Sequence, residues 1–384
     1  MKKIFFAVAL LGAMVSCDNS DVVEKGGNAI GFRMSAKNSV RAKIDNNTLT
    51  EFNVWAFMKE SDGSYSPLME NVWVNNQNKG HEWVYSPIAY WPVGKSVDFY
   101  SVYPSNEQIG RCKITTKIES DKQTIEYVVL DGQNAWSEGA QDFVYAVNKN
   151  ETYTGEKVPV YFLHGLSEVL FAVKNENPNL KIEITGGLFI ENAHSSGLFT
   201  LPNQTTSVET ARLEEGTWSF PEGADALLDL KKYRCPLDLG NQYPMEVTPI
   251  EISVPEGETS IVKQLPHYNE ANFYVVPQDI TPWNPSADPT NEQNGSYLLT
   301  YVKYTTPTGA VLYEGKMAVP FKWEIERVVM NRLDAGIRYK FTLNLSKNGG
   351  LVPPDGVEPG TPILRGIEFD TTVRDYIDAE WSIN

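Results

Sequence analysis

A regular alternation of apolar and polar residues is the feature that most constrains how this 384-residue chain folds. Between Tyr339 and Ser346, four apolar residues alternate with four polar ones. Because successive side chains of a strand point to opposite faces, the pattern predicts a strand with one buried face. Further strand candidates lie at 52–58, 82–90, 97–103, 124–130, 143–147, 158–173 with a break, 181–190, 250–254, 272–276, 297–305 and 311–319.

The candidate at 52–58 differs from the others because both of its faces are apolar, which is typical of a strand at the centre of a sandwich. Clusters of Gly, Pro, Asn, Asp and Ser separate the candidates, as turns between strands do. Helical periodicity is weak except around 323–333, so helices are expected to be few and short. The chain is therefore predicted to be all-β, built from sandwich domains.

The roughly 370 residues that follow the N-terminal leader exceed what one core usually organises, so two domains are expected. The polar stretch 202–207 is the best candidate for a boundary between them. This predicts two tandem β-sandwich domains, at 30–202 and 207–384. The segment 347–362 is crowded with Gly and Pro and predicts a mobile hinge, followed by strand-like pieces at 363–373 and 379–383.

The N-terminus has the pattern of a bacterial lipoprotein leader. Lys2 and Lys3 precede an apolar stretch that is too short to span a bilayer, and Cys17 follows it. The prediction is a signal peptide at 1–16, an acylated Cys17 and an acidic tether at 17–29, with attachment to a membrane through lipid. An ordinary leader followed by an incidental cysteine is the alternative.

The charge of the chain argues against nucleic acid as a partner. Removing the leader takes away two lysines and no acid, so the formal charge changes from −16 to −18. Nucleic-acid affinity depends largely on Lys and Arg at phosphates, which this acidic protein does not favour.

Sequence signatures of catalysis and of metal binding are missing. The four histidines lack metal-site spacing, and no GxSxG elbow, P-loop or dinucleotide fingerprint occurs, so no enzyme, metal site or cofactor is predicted. His164 is expected to be a hydrogen-bonded core or strand-end residue rather than a catalytic base. Cys112 and Cys235 are expected to be two separate buried thiols rather than a disulfide between domains.

Several motifs occur in order along the chain: an FxVxAF-like strand at 52–57, a YWP turn at 90–92, a DFYAYYP-like strand at 98–104, an F-x-H-x-x-S strand at 162–167, a PQ turn at 277–278 and a Y-x-F strand at 339–341. In this order they resemble the motifs of the fimbrillin-like family of Bacteroidales surface proteins. The resemblance implies a type V pilus component with sandwiches of transthyretin-like topology. It also implies that a protease cuts after an arginine, removes a first strand and opens a groove for a strand of the next subunit.

The resemblance maps onto specific residues of this chain. The displaced strand would be Ile30, Phe32, Met34 and Ala36, and cleavage at Arg41 is favoured over Arg33, which would leave part of the strand behind. The alternative is an edge strand that is never cleaved. The donated strand would carry Ile367, Phe369 and Val373, or else Ala379, Trp381 and Ile383, unless these pieces belong to the chain's own sheets.

The resulting hypothesis is a stalk or tip subunit of a surface pilus that supports adhesion. Its partners would be other pilus subunits and a host or bacterial surface receptor or glycan. It would be a lipid-anchored precursor at the outer-membrane surface, and part of the fimbrium after processing. The alternatives are a surface glycan-binding lipoprotein and an anchor subunit that keeps its acylated Cys17.

Overall fold

The computed structural model describes residues 28–34, 48–76, 82–106, 108–109, 112–129, 141–205, 216–220, 231–235, 249–265, 273–291, 294–325, 328–346, 350–364 and 368–375. Within these ranges all regular secondary structure is β-strand and there is no helix. The all-β prediction is therefore confirmed. The transthyretin-like topology implied by the resemblance stays a prediction.

The strands are numbered in chain order. The first fourteen are β1 (Phe32–Met34), β2 (Glu51–Lys59), β3 (Tyr65–Asn75), β4 (Val84–Tyr85), β5 (Val97–Tyr103), β6 (Gln108–Ile109), β7 (Cys112–Ile118), β8 (Gln123–Val129), β9 (Val144–Glu151), β10 (Val158–Val160), β11 (Leu163–His164), β12 (Ser167–Asn175), β13 (Lys181–Ile184) and β14 (Leu188–Ala193). The others are β15 (Ser196–Thr200), β16 (Thr217–Ser219), β17 (Lys231–Cys235), β18 (Ile250–Ile252), β19 (Ile261–Gln264), β20 (Phe273–Val275), β21 (Gln278–Asp279), β22 (Tyr297–Thr305), β23 (Val311–Pro320), β24 (Trp323–Ile325), β25 (Val328–Met330), β26 (Arg332–Leu333), β27 (Ile337–Asn344) and β28 (Glu368–Asp375).

Two sheets form what we call the first sandwich. The larger sheet has the strand order β11-β9-β5-β2-β3-β4, and the smaller has the order β16-β15-β8-β7-β6. Aromatic side chains join the two sheets, since the ring of Tyr145 on β9 lies 4.8 Å from that of Phe199 on β15. The apolar core of the first sandwich lies between these sheets.

The central strand β2 is buried on both of its faces, as its sequence predicted. Trp55 belongs to the apolar cluster shared with the smaller sheet, whereas Phe52 and Val54 belong to a second cluster on the other side. The short parallel pair of β1 and β10 supplies apolar residues to this second cluster. The first sandwich therefore carries a third, thin layer over one face of its larger sheet.

The second sandwich also consists of two sheets. One has the order β19-β12-β27-β28 with β20 beside β12, and the other has the order β17-β14-β22-β13-β18 with β23 beside β22. The apolar residues of the alternating segment 339–345 are at most 3% exposed, which confirms the strand with one buried face. β12 and β27 are parallel neighbours, paired from Glu168 with Arg338 to Lys174 with Asn344.

The helical periodicity expected around 323–333 is wrong. This segment forms the hairpin of β24 and β25, followed by β26. The ring of Trp323 lies 5.3 Å from the rings of Phe321 and Phe341. Trp323 and Leu333 are therefore buried in a core between strands and do not lie on the face of a helix.

The pairing of strands divides the chain differently from the expected boundary at 202–207. Strands β12 to β14 (167–193) pair with strands of the second sandwich, whereas β15 and β16 return to the first. Among the described strands the chain therefore passes between the sandwiches three times, after β11, β14 and β16. The polar stretch itself lies against β9: Thr205 is 1% exposed, and its hydroxyl accepts a hydrogen bond from Val147 N at 2.8 Å.

The described part of the expected hinge is hydrogen-bonded to the second sandwich. Leu351 exchanges two main-chain bonds of 2.8 Å with Ala318 on β23, and Lys316 forms an ion pair with Asp355. These bonds place the described residues 350–363 as a loop docked on a sheet edge, and mobility of the segment 347–362 stays a prediction.

Candidate functional site

The candidate site is the place where the first described segment, residues 28–34, enters the first sandwich. We call this segment the plug and the space that it fills the slot. One side of the slot is β10, which runs parallel to the plug and pairs Phe32 with Val158 and Met34 with Val160. Val158 N donates a hydrogen bond of 2.8 Å to Gly31 O on this side.

The other side of the slot is the segment 84–91, which we call the wall. Ile30 N donates to Ala89 O at 2.9 Å, and Trp91 N donates to Asn28 O at 2.8 Å. These bonds flank an antiparallel bridge between Ala29 and Tyr90. Main-chain hydrogen bonds therefore hold the plug from both sides.

Two apolar side chains of the plug are buried under it. Ile30 is 2% exposed and Phe32 is 1% exposed. The ring of Phe32 meets the rings of Phe52 and Phe99 edge-on, at 6.0 and 5.9 Å. Full burial of side chains of this size contributes about 1.5–3 kcal/mol each. The floor of the slot is thus an apolar surface that the plug covers.

Tyr85 connects the wall to the plug. Its hydroxyl donates a hydrogen bond of 2.7 Å to Ile30 O and accepts one of 3.3 Å from Ala89 N. Its ring lies 5.7 Å from that of Phe32. Burial is the main cause that raises the pKa of Tyr85, so the phenol keeps its proton and remains a donor. The sequence placed Tyr85 in a strand candidate, but no local signal indicated this contact.

The structure places only some of the predicted processing residues. Ile30 and Phe32 point into the core, Met34 is half-buried and the side chain of Arg33 is exposed. Ala36, Arg41 and Cys17 lie outside the described residues. Removal of the plug and acylation therefore stay predictions.

The candidate donor residues Phe369 and Val373 lie on β28. This strand pairs antiparallel with β27 of the same chain, with Phe369 opposite Leu343 and Val373 opposite Tyr339. β28 therefore belongs to the second sandwich here, as in the alternative that the sequence left open. The other candidates, Ile367, Ala379, Trp381 and Ile383, lie outside the described residues.

A buried polar pair lies where the chain first leaves the first sandwich. His164 Nδ1 lies 2.5 Å from Asp142 Oδ2, and Asp142 Oδ1 accepts hydrogen bonds from Phe143 N and Leu166 N. Burial raises the pKa of the Asp142 carboxyl, while its contacts with His164 oppose that shift. The expectation that His164 is a hydrogen-bonded strand-end residue is confirmed.

An ion pair with a buried carboxylate was not found from the sequence. Arg338 Nε donates to Glu168 Oε2 at 2.5 Å between the parallel strands β12 and β27. The two residues are 170 positions apart, so no local pattern relates them. Glu168 and Arg338 are both charged residues in largely apolar strands. A charged residue in such a strand indicates that it has a hydrogen-bonded partner, because buried polar groups are rarely left unpaired.

The PQ turn has a structural explanation. Gln278 Oε1 accepts a hydrogen bond from His194 N at 2.7 Å, and Gln278 Nε2 donates to His194 O at 2.9 Å. The side-chain amide thus pairs like a strand with the loop where the chain passes from β14 to β15.

Cys112 is buried, with its Sγ 2.9 Å from Tyr127 Oη and 3.3 Å from Gln141 N. The side chain of Cys235 lies outside the described residues. In the described part of the chain, no cluster of three or more His, Cys, Asp or Glu side chains is arranged to hold a metal ion. None of the described segments forms a helix long and apolar enough to cross a membrane.

A protein-family model described as fimbrillin-like matches residues 40–358. A Parabacteroides distasonis ATCC 8503 structure, described as that of a cell adhesion protein, is 15% identical with a TM-score of 0.42; the match covers 90% of this chain and 98% of that one. The tip fimbrial protein Mfa3 from Porphyromonas gingivalis is 11% identical with a TM-score of 0.31, covering 85% of this chain and 94% of that one. The fimbrial anchor protein Mfa2 from Porphyromonas gingivalis is 11% identical with a TM-score of 0.30, covering 90% and 98%. No curated protein matches the chain.

Proposed function

The chain belongs to the fimbrillin-like family, and we propose that it is a structural subunit of a surface pilus, at the stalk or the tip, that assembles by strand exchange. The observation that carries this proposal is the plug. A short segment is bonded through its main chain on both sides and covers an apolar floor. It is the arrangement that a donated strand from a second subunit would reproduce.

An emptied slot would attract another strand for two physical reasons. Loss of the plug would expose the apolar floor around Phe52 and Phe99, and it would leave Ala89 O, Trp91 N and Val158 N without their present partners. Reburial of two side chains like Ile30 and Phe32 contributes about 3–6 kcal/mol. New main-chain bonds add about 1 kcal/mol each.

The proposal assigns the cut to Arg41 because Arg33 is held inside the plug. Arg33 lies in β1, where it is paired with Pro159 of β10 between the pairs Phe32–Val158 and Met34–Val160. Proteases act preferentially on exposed loops rather than on paired strands. Arg41 follows β1 and precedes β2 in the chain, so cleavage there would separate the whole plug from the first sandwich.

The proposal assigns the donated strand to the piece with Ala379, Trp381 and Ile383. β28 already pairs over eight residues with β27, and donation of Phe369 and Val373 would break that ladder. The piece after β28 could reach a neighbour while β28 stays in place.

Assembly of protein that begins at Ala42 is the test. We expect it to form polymers, seen by size-exclusion chromatography and electron microscopy, while protein that retains residues 28–36 stays monomeric. The matched control begins at Ala42 and ends at Asp375, and it should remain monomeric because it has no strand to donate. If both Ala42 proteins remain monomeric under assembly conditions, strand exchange fails as the mechanism.

Two alternatives have distinct outcomes. An anchor subunit would keep acylated Cys17 and an intact plug in cells, which mass spectrometry of the N-terminus detects. A glycan-binding lipoprotein is favoured by exposed aromatic rings, and Tyr90 and Tyr153 are 58% and 52% exposed. Retention of a polysaccharide on a glycan array, lost on replacement of both tyrosines by alanine, would support that role.

A further inference from the structure

The hydroxyl of Tyr85 occupies a place in the ladder between the wall and the plug. In a regular antiparallel ladder, the bonds around the Ala29–Tyr90 bridge would be followed by one from Ala89 N to Ile30 O. Here Ala89 N donates to Tyr85 Oη at 3.3 Å, and Tyr85 Oη donates to Ile30 O at 2.7 Å. The hydroxyl thus relays the bond that the two main chains would otherwise make directly.

We propose that Tyr85 is a positioning residue of the slot, whose hydroxyl anchors the main chain of any strand that lies there. For the plug the proposal stands on the geometry of this chain alone. For a strand donated by a second copy of the chain, it rests on the proposed function.

The chemistry of the contact makes the anchor independent of sequence. Every residue has a main-chain carbonyl, so a donor aimed at position 30 of the slot finds an acceptor whatever side chain the strand carries there. Selection between strands then falls to the apolar floor, where Ile30 and Phe32 now pack. Tyr85 holds the strand, whereas the floor sets its register and discriminates its side chains.

The relay also ends the ladder at a defined point. Proline at position 87 has no amide hydrogen, and the wall turns away from the plug toward β4, which pairs with β3. Ile30 is consequently the residue whose amide and carbonyl are both bonded to the wall, through Ala89 O and Tyr85 Oη.

The test is hydrogen exchange on the full-length chain with Tyr85→Phe, which keeps the ring and removes the hydroxyl. The reporters are the amides of Trp91 and Val158, which bond the plug from opposite sides. Loss of one hydrogen bond is expected to raise the opening ratio of both amides about fivefold. The control Tyr153→Phe changes an exposed tyrosine near Trp91, and its effect on both amides should be below twofold.

A second arm tests independence from sequence. In an Ile30→Val background, whose smaller cost of about 0.5–1.5 kcal/mol leaves the plug docked, Tyr85→Phe should raise the opening ratio by the same factor, because the hydroxyl bonds the main chain of residue 30 and not its side chain. Unchanged or slower opening in Tyr85→Phe would show that the ladder closes without the hydroxyl and would overturn the proposal. An equal fold-change at amides throughout the chain would mean a general loss of stability, and would also overturn it.

The same variant separates this inference from the proposed function. In protein that begins at Ala42, Tyr85→Phe should accelerate loss of subunits from assembled fibres about fivefold relative to Tyr153→Phe. If the unsubstituted protein does not assemble, strand exchange fails as the mechanism. The hydrogen-exchange rates of the Trp91 and Val158 amides in the full-length chain still decide the role of Tyr85.

Discussion

Replacement of Phe32 by alanine tests whether the plug can leave its slot without unfolding the first sandwich. Phe32 is fully buried against Phe52 and Phe99, and removal of a phenylalanine from such a core costs about 3–5 kcal/mol. The free energy that holds the plug in its slot is much smaller than the free energy of unfolding of a whole domain. Burial of Ile30 and Phe32 contributes about 3–6 kcal/mol, and the four hydrogen bonds given above for the plug add about 1 kcal/mol each. Ordering the seven residues of the plug costs roughly 1 kcal/mol each, which leaves a net stabilisation of only a few kcal/mol.

The expected cost of Phe32→Ala, about 3–5 kcal/mol, is therefore comparable with the whole net free energy that holds the plug in its slot. In full-length Phe32→Ala, hydrogen exchange should show the amides of Trp91 and Val158 nearly unprotected, because they bond the plug. The free energy of global unfolding, from denaturant titration, should fall only by the few kcal/mol that docking of the plug contributes. Once the plug has left, further weakening of its contacts has no effect on the rest of the protein.

Phe199→Ala is the matched control. Phe199 is equally buried, but it lies between the two sheets of the first sandwich, so its full cost of about 3–5 kcal/mol should appear in global unfolding. The reasoning is refuted if Phe32→Ala lowers global stability as much as Phe199→Ala does while Trp91 and Val158 stay protected. The plug would then be an integral strand and not a separable one.

Three further substitutions test other contacts. In Gly165→Ala the new Cβ would lie 2.1 Å from Cζ of Phe143, so denaturant titration should show a loss of about 1–3 kcal/mol, and stability equal to wild type would contradict this packing. Asp142→Ala removes the carboxylate that His164 Nδ1, Phe143 N and Leu166 N contact and should cost about 1–3 kcal/mol, more than Asp142→Asn; equal losses would argue against the pair. Burial raises the pKa of Tyr304, so the folded state favours the protonated phenol. Its contribution to the free energy of unfolding is complete below pH ~10, the ordinary pKa of tyrosine, and is lost as pH rises further. Tyr304→Phe should therefore reduce the fall in the free energy of unfolding that urea titrations show between pH 8 and 11. An unchanged fall would contradict this role of Tyr304.

Local patterns were sufficient to predict many of the strands, although β3 was not among the candidates. The alternation around 339–345 and the doubly apolar segment 52–58 correspond to β27 and to the two-faced strand β2. β7 has the same signal, with Cys112 and Ile114 buried and Lys113 exposed, although it was not among the candidates. Such patterns are informative because the apolar or polar character of each residue indicates whether its face of the strand is buried or exposed.

The order of the strands was not predictable in the same way. β12 lies beside β27 through a parallel pairing that joins residues 170 positions apart, and nothing in either segment specifies the other. For the same reason the polar stretch near Thr205 did not reveal that β12 to β14 pair with strands of the second sandwich. Its hydroxyl bonds the main chain at Val147, so a polar residue is as buried as an apolar one.

The candidate site was predictable only in part. The alternation of Ile30 and Phe32 identified the buried side of the plug, because apolar spacing is visible in the sequence. The role of Tyr85 was not visible, since its hydroxyl bonds a main-chain oxygen 55 positions away.

The three passages of the chain between the sandwiches have a mechanical consequence. A pull on one sandwich reaches the other through several covalent routes side by side, so each route bears only a share of the load. A join of this kind resists twisting and bending far better than a single linker would. In a fibre made of such subunits, bending would then be concentrated at the contacts between neighbouring molecules.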